Sequence, residues 1–170
     1  MKPPCAPRHR EAPGVRRFLG DLLRDDAAAD EGTQETFVRA HQRLPTIQDP
    51  GKLQGWLFGI ARMVSFEHLR RKRRDALPAQ TVEEPVQVDQ APSPEAVLLS
   101  AESDRVLDGA LAHLAEERRA ALLMRIDHGL GYGEIAAAMG WPLQKVKNEI
   151  HRARLQIRAS LAGYLDEGAQ

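Results

Sequence analysis

Three groups of side chains have types and spacing suited to non-covalent chemistry. Glu31, Gln34 and Glu35 stand at i, i+3 and i+4, so any helix that carries them puts them on one face. Two carboxylates and an amide form an acceptor patch for a cationic partner, although the same pattern describes an ordinary wet helix face. Arg70, Arg71, Lys72, Arg73 and Arg74 follow one another without an acid among them. Such a run holds a phosphate backbone, or simply complements the carbonyl end of a helix. Near the end of the chain, Gln144, Lys145, Lys147, Asn148, His151 and Arg152 bring together amide, imidazole, ammonium and guanidinium groups. Those groups hydrogen-bond base edges and phosphates in a major groove. Covalent chemistry has no comparable footing. The six histidines are scattered, and no His/Cys/Asp/Glu cluster has metal-ligand spacing. Neither a glycine-rich phosphate loop nor a nucleophile motif is present. No metal, no cofactor and no enzyme activity are expected.

The basic run ends the stretch around which the chain is organised, Trp56 to Arg74. Leu57, Ile60, Ala61 and Val64 form one stripe at helical spacing. Trp56 and Met63 widen it on one side, Phe58 and Phe66 on the other. A helix this apolar is packed between neighbours rather than laid on a surface. Its aromatic content beside a cationic end suits nucleic acid, with rings near the backbone to stack on bases. Upstream, a first helix begins near Val15 and carries Phe18, Leu19, Leu22 and Leu23. Asp25 or Asp26 caps a second helix, whose expected inward face is Phe37, Ala40, His41 and Leu44, and which Pro45 ends. A loop through Ile47 and Gln48 leads to the Trp56 helix. Residues 1–13, rich in proline and base, are expected to be disordered.

Downstream, residues 76–93 have prolines, acids and little apolar periodicity, and read as a linker. Ser93 and Pro94 suit the start of a helix with apolar positions from Val97 to Leu114. A further helix closes on Gly129. The last segment predicts a short helix from Tyr132 to Met139, a turn at Gly140 and a longer helix from Pro142. The inward stripe of that helix is Val146, Ile150, Ala153 and Ile157. This is a helix-turn-helix pattern, and the six polar residues named above fall on its outer face.

At 170 residues the chain suits one domain or two small ones, and its formal net charge is zero. The charges are unevenly spread. Bases outnumber acids from Phe37 to Arg74, whereas acids dominate from Asp75 to Glu117 with Arg105 the sole Lys or Arg there. The single Cys5 forms no internal disulfide, in keeping with a reducing cytosol. No apolar run approaches a membrane span, and the start lacks the apolar core of a secretory signal. A cytoplasmic protein without membrane insertion is expected.

With both halves read, the sequence resembles an extracytoplasmic-function (ECF) sigma factor of bacterial RNA polymerase over roughly residues 15–165. The likeness is carried by ADEGTQETFVRAH and WLFGIARMVSFEHLRRKRR, then by LAEERRAALLMRIDHGLGYGEIAAAMGWPLQKVKNEIHRARLQIR. It implies an all-α fold of two small helical domains: region 2 over residues 14–75, a flexible acidic linker over 76–93, and region 4 over 94–166. It implies that Glu31, Gln34 and Glu35 dock on core RNA polymerase. The resemblance puts −10 DNA at Ile47, Gln48, Trp56, Arg62, Met63, Arg70, Arg71, Arg73 and Arg74, and −35 duplex at Gln144, Lys145, Lys147, Asn148, His151 and Arg152. The implied partners are core polymerase, promoter DNA and an anti-sigma factor, the free protein being a monomer. A competing reading is a helix-turn-helix regulator that binds DNA without polymerase. The acceptor patch and the basic aromatic helix argue against it, because a regulator needs neither.

Several positions depart from the family pattern. Glu149 stands where a base is frequent, which weakens part of the expected −35 contact. Gly32 and Thr33 replace two aliphatic residues and should weaken their helix. Met63 replaces a common Asn, and Ile47 a frequent aromatic. Both pack well but read base edges poorly, so loose discrimination at the flipped −10 base is expected. Met63→Asn should sharpen it. The measurement is binding of a labelled single strand, carrying each base in turn, to polymerase holoenzyme. An unchanged base profile would take Met63 out of the pocket.

Overall fold

The structure, a computed structural model, describes residues 12–76 and 96–167, the last part without side chains before residue 104 or after residue 163. Among the described residues every regular element is a helix. They are α1 (Ala12–Leu23), α2 (Asp26–Arg43), α3 (Leu53–Asp75), α4 (Ala96–Ala112), α5 (Glu116–Ile126), α6 (Tyr132–Met139) and α7 (Leu143–Glu167). Short 3-10 turns at Leu44–Thr46 and Pro50–Lys52 join α2 to α3. The expected linker, the start at Ser93 and the disorder expected of the first residues lie outside the described residues.

Local chemistry sets the boundaries. Asp25 caps α2 by accepting from the Ala28 amide at 3.0 Å. Pro45 stops α2 and opens a 3-10 turn, and Asp49 caps the next by accepting from the Gly51 amide at 2.9 Å. That turn runs straight into α3, so α3 begins at Leu53, ahead of the expected Trp56. At the start of α6 the Glu134 carboxylate accepts from the Gly131 amide at 2.7 Å. Gly140 then ends α6 with φ +66°, a left-handed conformation that suits glycine, and turns the chain into α7.

In the first half, α1 lies in the angle between α2 and α3. Val15, Phe18, Leu19, Leu22 and Leu23 are buried there with Leu57, Phe58, Ile60, Ala61 and Val64. The inward face of α2 departs from expectation. His41 is exposed and Phe37 is half-buried, while Ala29, Gly32, Thr36 and Ala40 face inward. Gly32 sits at the crossing, where a Cβ would lie 3.3 Å from Leu19 and 3.5 Å from Val64. The closeness of three helices there offsets its low helix propensity. Thr36 satisfies its buried hydroxyl on the Gly32 carbonyl at 2.7 Å.

In the second half, α5, α6 and α7 enclose Ala120, Leu122, Leu123, Met124, Leu130, Ile135, Met139, Val146, Ile150 and Ala153. The two halves do not bury separate cores. A single cluster of buried apolar residues runs through both. His128, in the turn after α5, packs edge-on to Phe18 with ring centroids 5.8 Å apart, and 4.6 Å from Phe58. Around it Gln54 donates to the His128 carbonyl at 3.2 Å, and Arg119 donates to the Leu22 carbonyl at 3.1 Å. Arg73 at the far end of α3 pairs with Glu116 at the start of α5.

Burial holds the His128 imidazole below its ordinary value of 6.5; Asp127 opposes this shift and Arg17 adds to it. A depressed imidazole value means that the folded chain resists a proton that the unfolded chain accepts. The His128 contribution to stability is therefore complete above about pH 6.5 and declines as the pH falls below it. Denaturant unfolding at stepped pH should show this decline, and His128→Phe should flatten it. A decline of the same size in the variant would assign the effect to other groups.

Candidate nucleic-acid interface

The acceptor patch stands on α2. Glu31 and Gln34 are exposed. Glu35 is half-buried and accepts from Arg39 Nε at 2.7 Å. Arg39 in turn grips Glu67 of α3 through two hydrogen bonds, of 3.0 and 2.7 Å. The Glu67 contact, then Glu35, holds Arg39 above the usual guanidinium value, and the same bond holds Glu67 below the usual carboxylate range. Glu35 therefore belongs to a strap between α2 and α3 as well as to the patch, while Glu31 and Gln34 stand clear of that strap.

Of the residues expected at −10 DNA, the structure gathers Trp56, Arg62 and Met63. They line a cleft of about 770 Å³ with Gly55, Gly59 and Ile60 of the same helix. The Arg62 guanidinium lies 5.4 Å from the Phe66 ring centroid. Its Nε is buried without a partner among the described residues, and burial lowers its value, with Glu117 opposing. Ile47 and Gln48 sit between the two 3-10 turns and do not line the cleft. Arg70, Arg71, Arg73 and Arg74 are exposed on the last turns of α3, beyond the cleft, with Arg73 engaged by Glu116. Arg43 and Lys52, which sequence reasoning passed over, line the cleft instead. Their signal was position alone, since they flank the proline-bearing turns.

The opposite wall of this cleft is α6, through Gly133, Glu134, Ala137 and Ala138. Two glycines allow the approach. A Cβ on Gly55 would lie 3.1 Å from the Glu134 Cβ, and one on Gly59 would lie 3.3 Å from the Ala138 Cα. The face of α3 that carries Trp56 and Met63 is thus roofed by the second half.

The outer face of α7 is open by contrast. Gln144, Lys145, Lys147, Asn148, His151 and Arg152 are all exposed. Gln144 donates to Asn148 at 3.1 Å, and the Lys145 ammonium lies 4.2 Å from the Trp141 ring centroid. Arg152 donates to Glu149 at 3.1 Å, and Glu149 also accepts from Arg118 of α5 at 2.7 Å. Those hydrogen bonds, the one from Arg118 foremost, hold Glu149 below the usual carboxylate range. Among the described residues no group of His, Cys, Asp and Glu is placed to hold a metal ion, and no helix is long and apolar enough to cross a membrane.

Residues 9–75 match sigma-70 region 2, and residues 104–157 match sigma-70 region 4. The chain is 36% identical over 164 residues to the ECF RNA polymerase sigma factor SigE of Mycolicibacterium smegmatis, covering 95% of this chain and 62% of the relative. It is 30% identical over 159 residues to the ECF RNA polymerase sigma-E factor of Salmonella typhimurium, covering 88% of this chain and 80% of that one. In structure it is similar to the sigma factor RpoE of Bartonella quintana, solved in complex with the anti-sigma factor NepR. The TM-score is 0.72 at 23% identity, covering 89% of this chain and 91% of that one.

The glycine contacts generate a prediction about the roof. A specific protease site can be engineered within residues 77–92 and cut. The two fragments should then stay together on a sizing column, held by the shared core. Gly59→Leu forces a side chain against the α6 backbone, and overpacking of this kind costs ~1–3 kcal/mol. The cut Gly59→Leu protein should separate at concentrations where the parent does not, with helical content retained in circular dichroism. Equal retention in both would show that α6 shifts without leaving.

Proposed function

Because this chain belongs to the extracytoplasmic-function (ECF) sigma-factor family, we propose that it joins core RNA polymerase as a non-catalytic promoter-specificity subunit in the cytoplasm, reading −35 as duplex and −10 as single strand. The chain spans 62% of the length of its SigE relative, and the proposal concerns the part shared. The observation that carries it is the presence, in one chain, of two different surfaces whose chemistry suits nucleic acid. One is the exposed polar face of the helix-turn-helix on α7; the other is an aromatic cleft on α3 edged by Arg43 and Lys52. A regulator built on α6 and α7 alone would leave the α3 cleft and the α2 patch without a task.

In this reading residues 14–75 form region 2, residues 76–93 the linker and residues 94–166 region 4. Glu31 and Gln34, with Glu35, dock α2 on a basic surface of the polymerase. The α7 face enters the −35 major groove, with Asn148 suited to adenine and Arg152 to guanine. Lys145 and Lys147 hold phosphates, which position without specifying. A −10 base leaves the duplex and enters the cleft beside Trp56 and Met63. Extruding it costs about a few kcal/mol, which stacking and phosphate contacts must offset. Ile47, Gln48 and the arginines from Arg70 to Arg74 contact the flanking strand. The roof formed by α6 must withdraw first, so polymerase binding and opening are one event. An anti-sigma partner that bridges the halves would keep the roof on. The Bartonella sigma factor was solved in complex with an anti-sigma factor.

Co-elution with core polymerase on a sizing column is expected, and its absence with inhibitor-free protein would favour the regulator. Glu31→Lys should weaken core binding at least tenfold, about 1.4 kcal/mol, with an unchanged melting temperature. Glu35→Lys should do the same and also lose about 0.5–1 kcal/mol of stability, since it sets a cation against Arg39 in a half-exposed strap. Undiminished core affinity in both variants would remove the patch from the interface.

A further inference from the structure

A chain of hydrogen bonds that ends on Arg152 begins beside α4. Gln156 Nε2 donates to the carbonyl of His113, just past α4, at 3.2 Å. Arg118 of α5 donates to Gln156 Oε1 at 3.2 Å and, through Nε, to Glu149 Oε2 at 2.7 Å. The other carboxylate oxygen, Oε1, accepts from Arg152 Nη1 at 3.1 Å. Of its three charged side chains only the last is well exposed. The Glu149 side chain is 15% exposed and that of Arg118 25%, whereas that of Arg152 is 63% exposed. A fixed carboxylate thus lies between a braced guanidinium and an exposed one.

We propose that Glu149, braced by Arg118, is a positioning residue that sets the −35 specificity of Arg152. The inference rests on the reading in which the outer face of α7 enters the −35 major groove. An arginine reads guanine only when its planar fork meets O6 and N7 together. An unrestrained arginine on the same helix reaches phosphates equally well, and every sequence offers those. The bond from Nη1 to Glu149 restricts the side chain before DNA arrives and leaves its other N–H donors for the base edge. Glu149 itself is poorly placed to read a base, because its side chain is only 15% exposed and each of its oxygens already accepts from a guanidinium group. Its charge also trims the attraction of α7 for phosphate at large. Sequence alone marked Glu149 as a weakened −35 contact. The geometry gives it the opposite role, trading bulk affinity for discrimination.

The test uses holoenzyme assembled from the full chain and a promoter library randomised across both elements, with bound fractions sequenced. Arg152→Ala should erase a guanine preference at one −35 position. Glu149→Ala should lower the preference at that same position by about tenfold, while binding to unrelated duplex rises. A fold defect would lower both, so the opposite movements separate positioning from damage. Arg118→Ala should lower the preference as well. In the Arg152→Ala background, Glu149→Ala should change the base profile no further. Glu149→Gln keeps the size and an acceptor for Arg118, should lose less, and carries the test if the alanine chain melts early. The proposal is overturned if Arg152→Ala alters the profile and the Glu149 variants do not. It is equally overturned if Glu149→Ala acts at another position, such as a cytosine that Arg152→Ala leaves alone. If Arg152→Ala leaves every position unchanged, the −35 reading of α7 itself fails.

Discussion

The constraint on which the rest of the structure depends is that α3 is apolar on more than one face. Leu57, Phe58, Ile60, Ala61 and Val64 are buried, and Trp56, Met63 and Phe66 are half-buried on the flanks. A surface helix needs one covered stripe, whereas this one needs covering on two sides. The inner side is met by α1 and α2. The other is met by the second half of the chain, through α6 and the turn that carries His128. From that demand follow the shared core, the glycines at the closest approach and the packing of a half-buried imidazole against two phenylalanine rings.

The same demand leaves the two candidate surfaces in different surroundings. The cleft beside Trp56 and Met63 has α6 as its opposite wall. The α7 face, by contrast, carries its polar residues into solvent while the halves are closed. One of the two is therefore open to solvent and the other partly enclosed by the second half. Parting the halves to bare that wall of α3 would require something to supply the free energy. A large, rigid partner that binds both halves at a distance from one another can do so by mass action.

Much of this was legible in the chain, because periodicity and turn chemistry are local. The helix from Tyr132 to Met139, the glycine turn at Gly140 and the buried stripe of Val146, Ile150 and Ala153 appear as their spacing dictates. So does the apolar stripe of α3. What escaped was non-local. His41 has the spacing of an inward residue, yet Thr36 and Gly32 fill that face, because α1 and α3 approach too closely for larger groups. The roof over the cleft depends on residues far apart in sequence, such as Gly59 and Ala138, and nothing local announces their meeting. The same holds for Glu149, which is held by Arg118 of another helix. Arg43 and Lys52 carry no sequence signal of their own beyond position, being single cations, while the dense cationic run of α3 lies beyond the cleft.

The seam between the halves also has a thermal character. Its apolar contacts are those of the His128 ring with Phe18 and Phe58 and of the two glycines with α6, beside hydrogen bonds from Arg24, Gln54 and Arg119 and the Arg73–Glu116 pair at the margin. Apolar association near room temperature is driven by the entropy of released water, and it weakens as water is cooled. An exposed ion pair adds little and is screened by salt. Closure of this chain therefore tightens with moderate warmth and slackens in the cold.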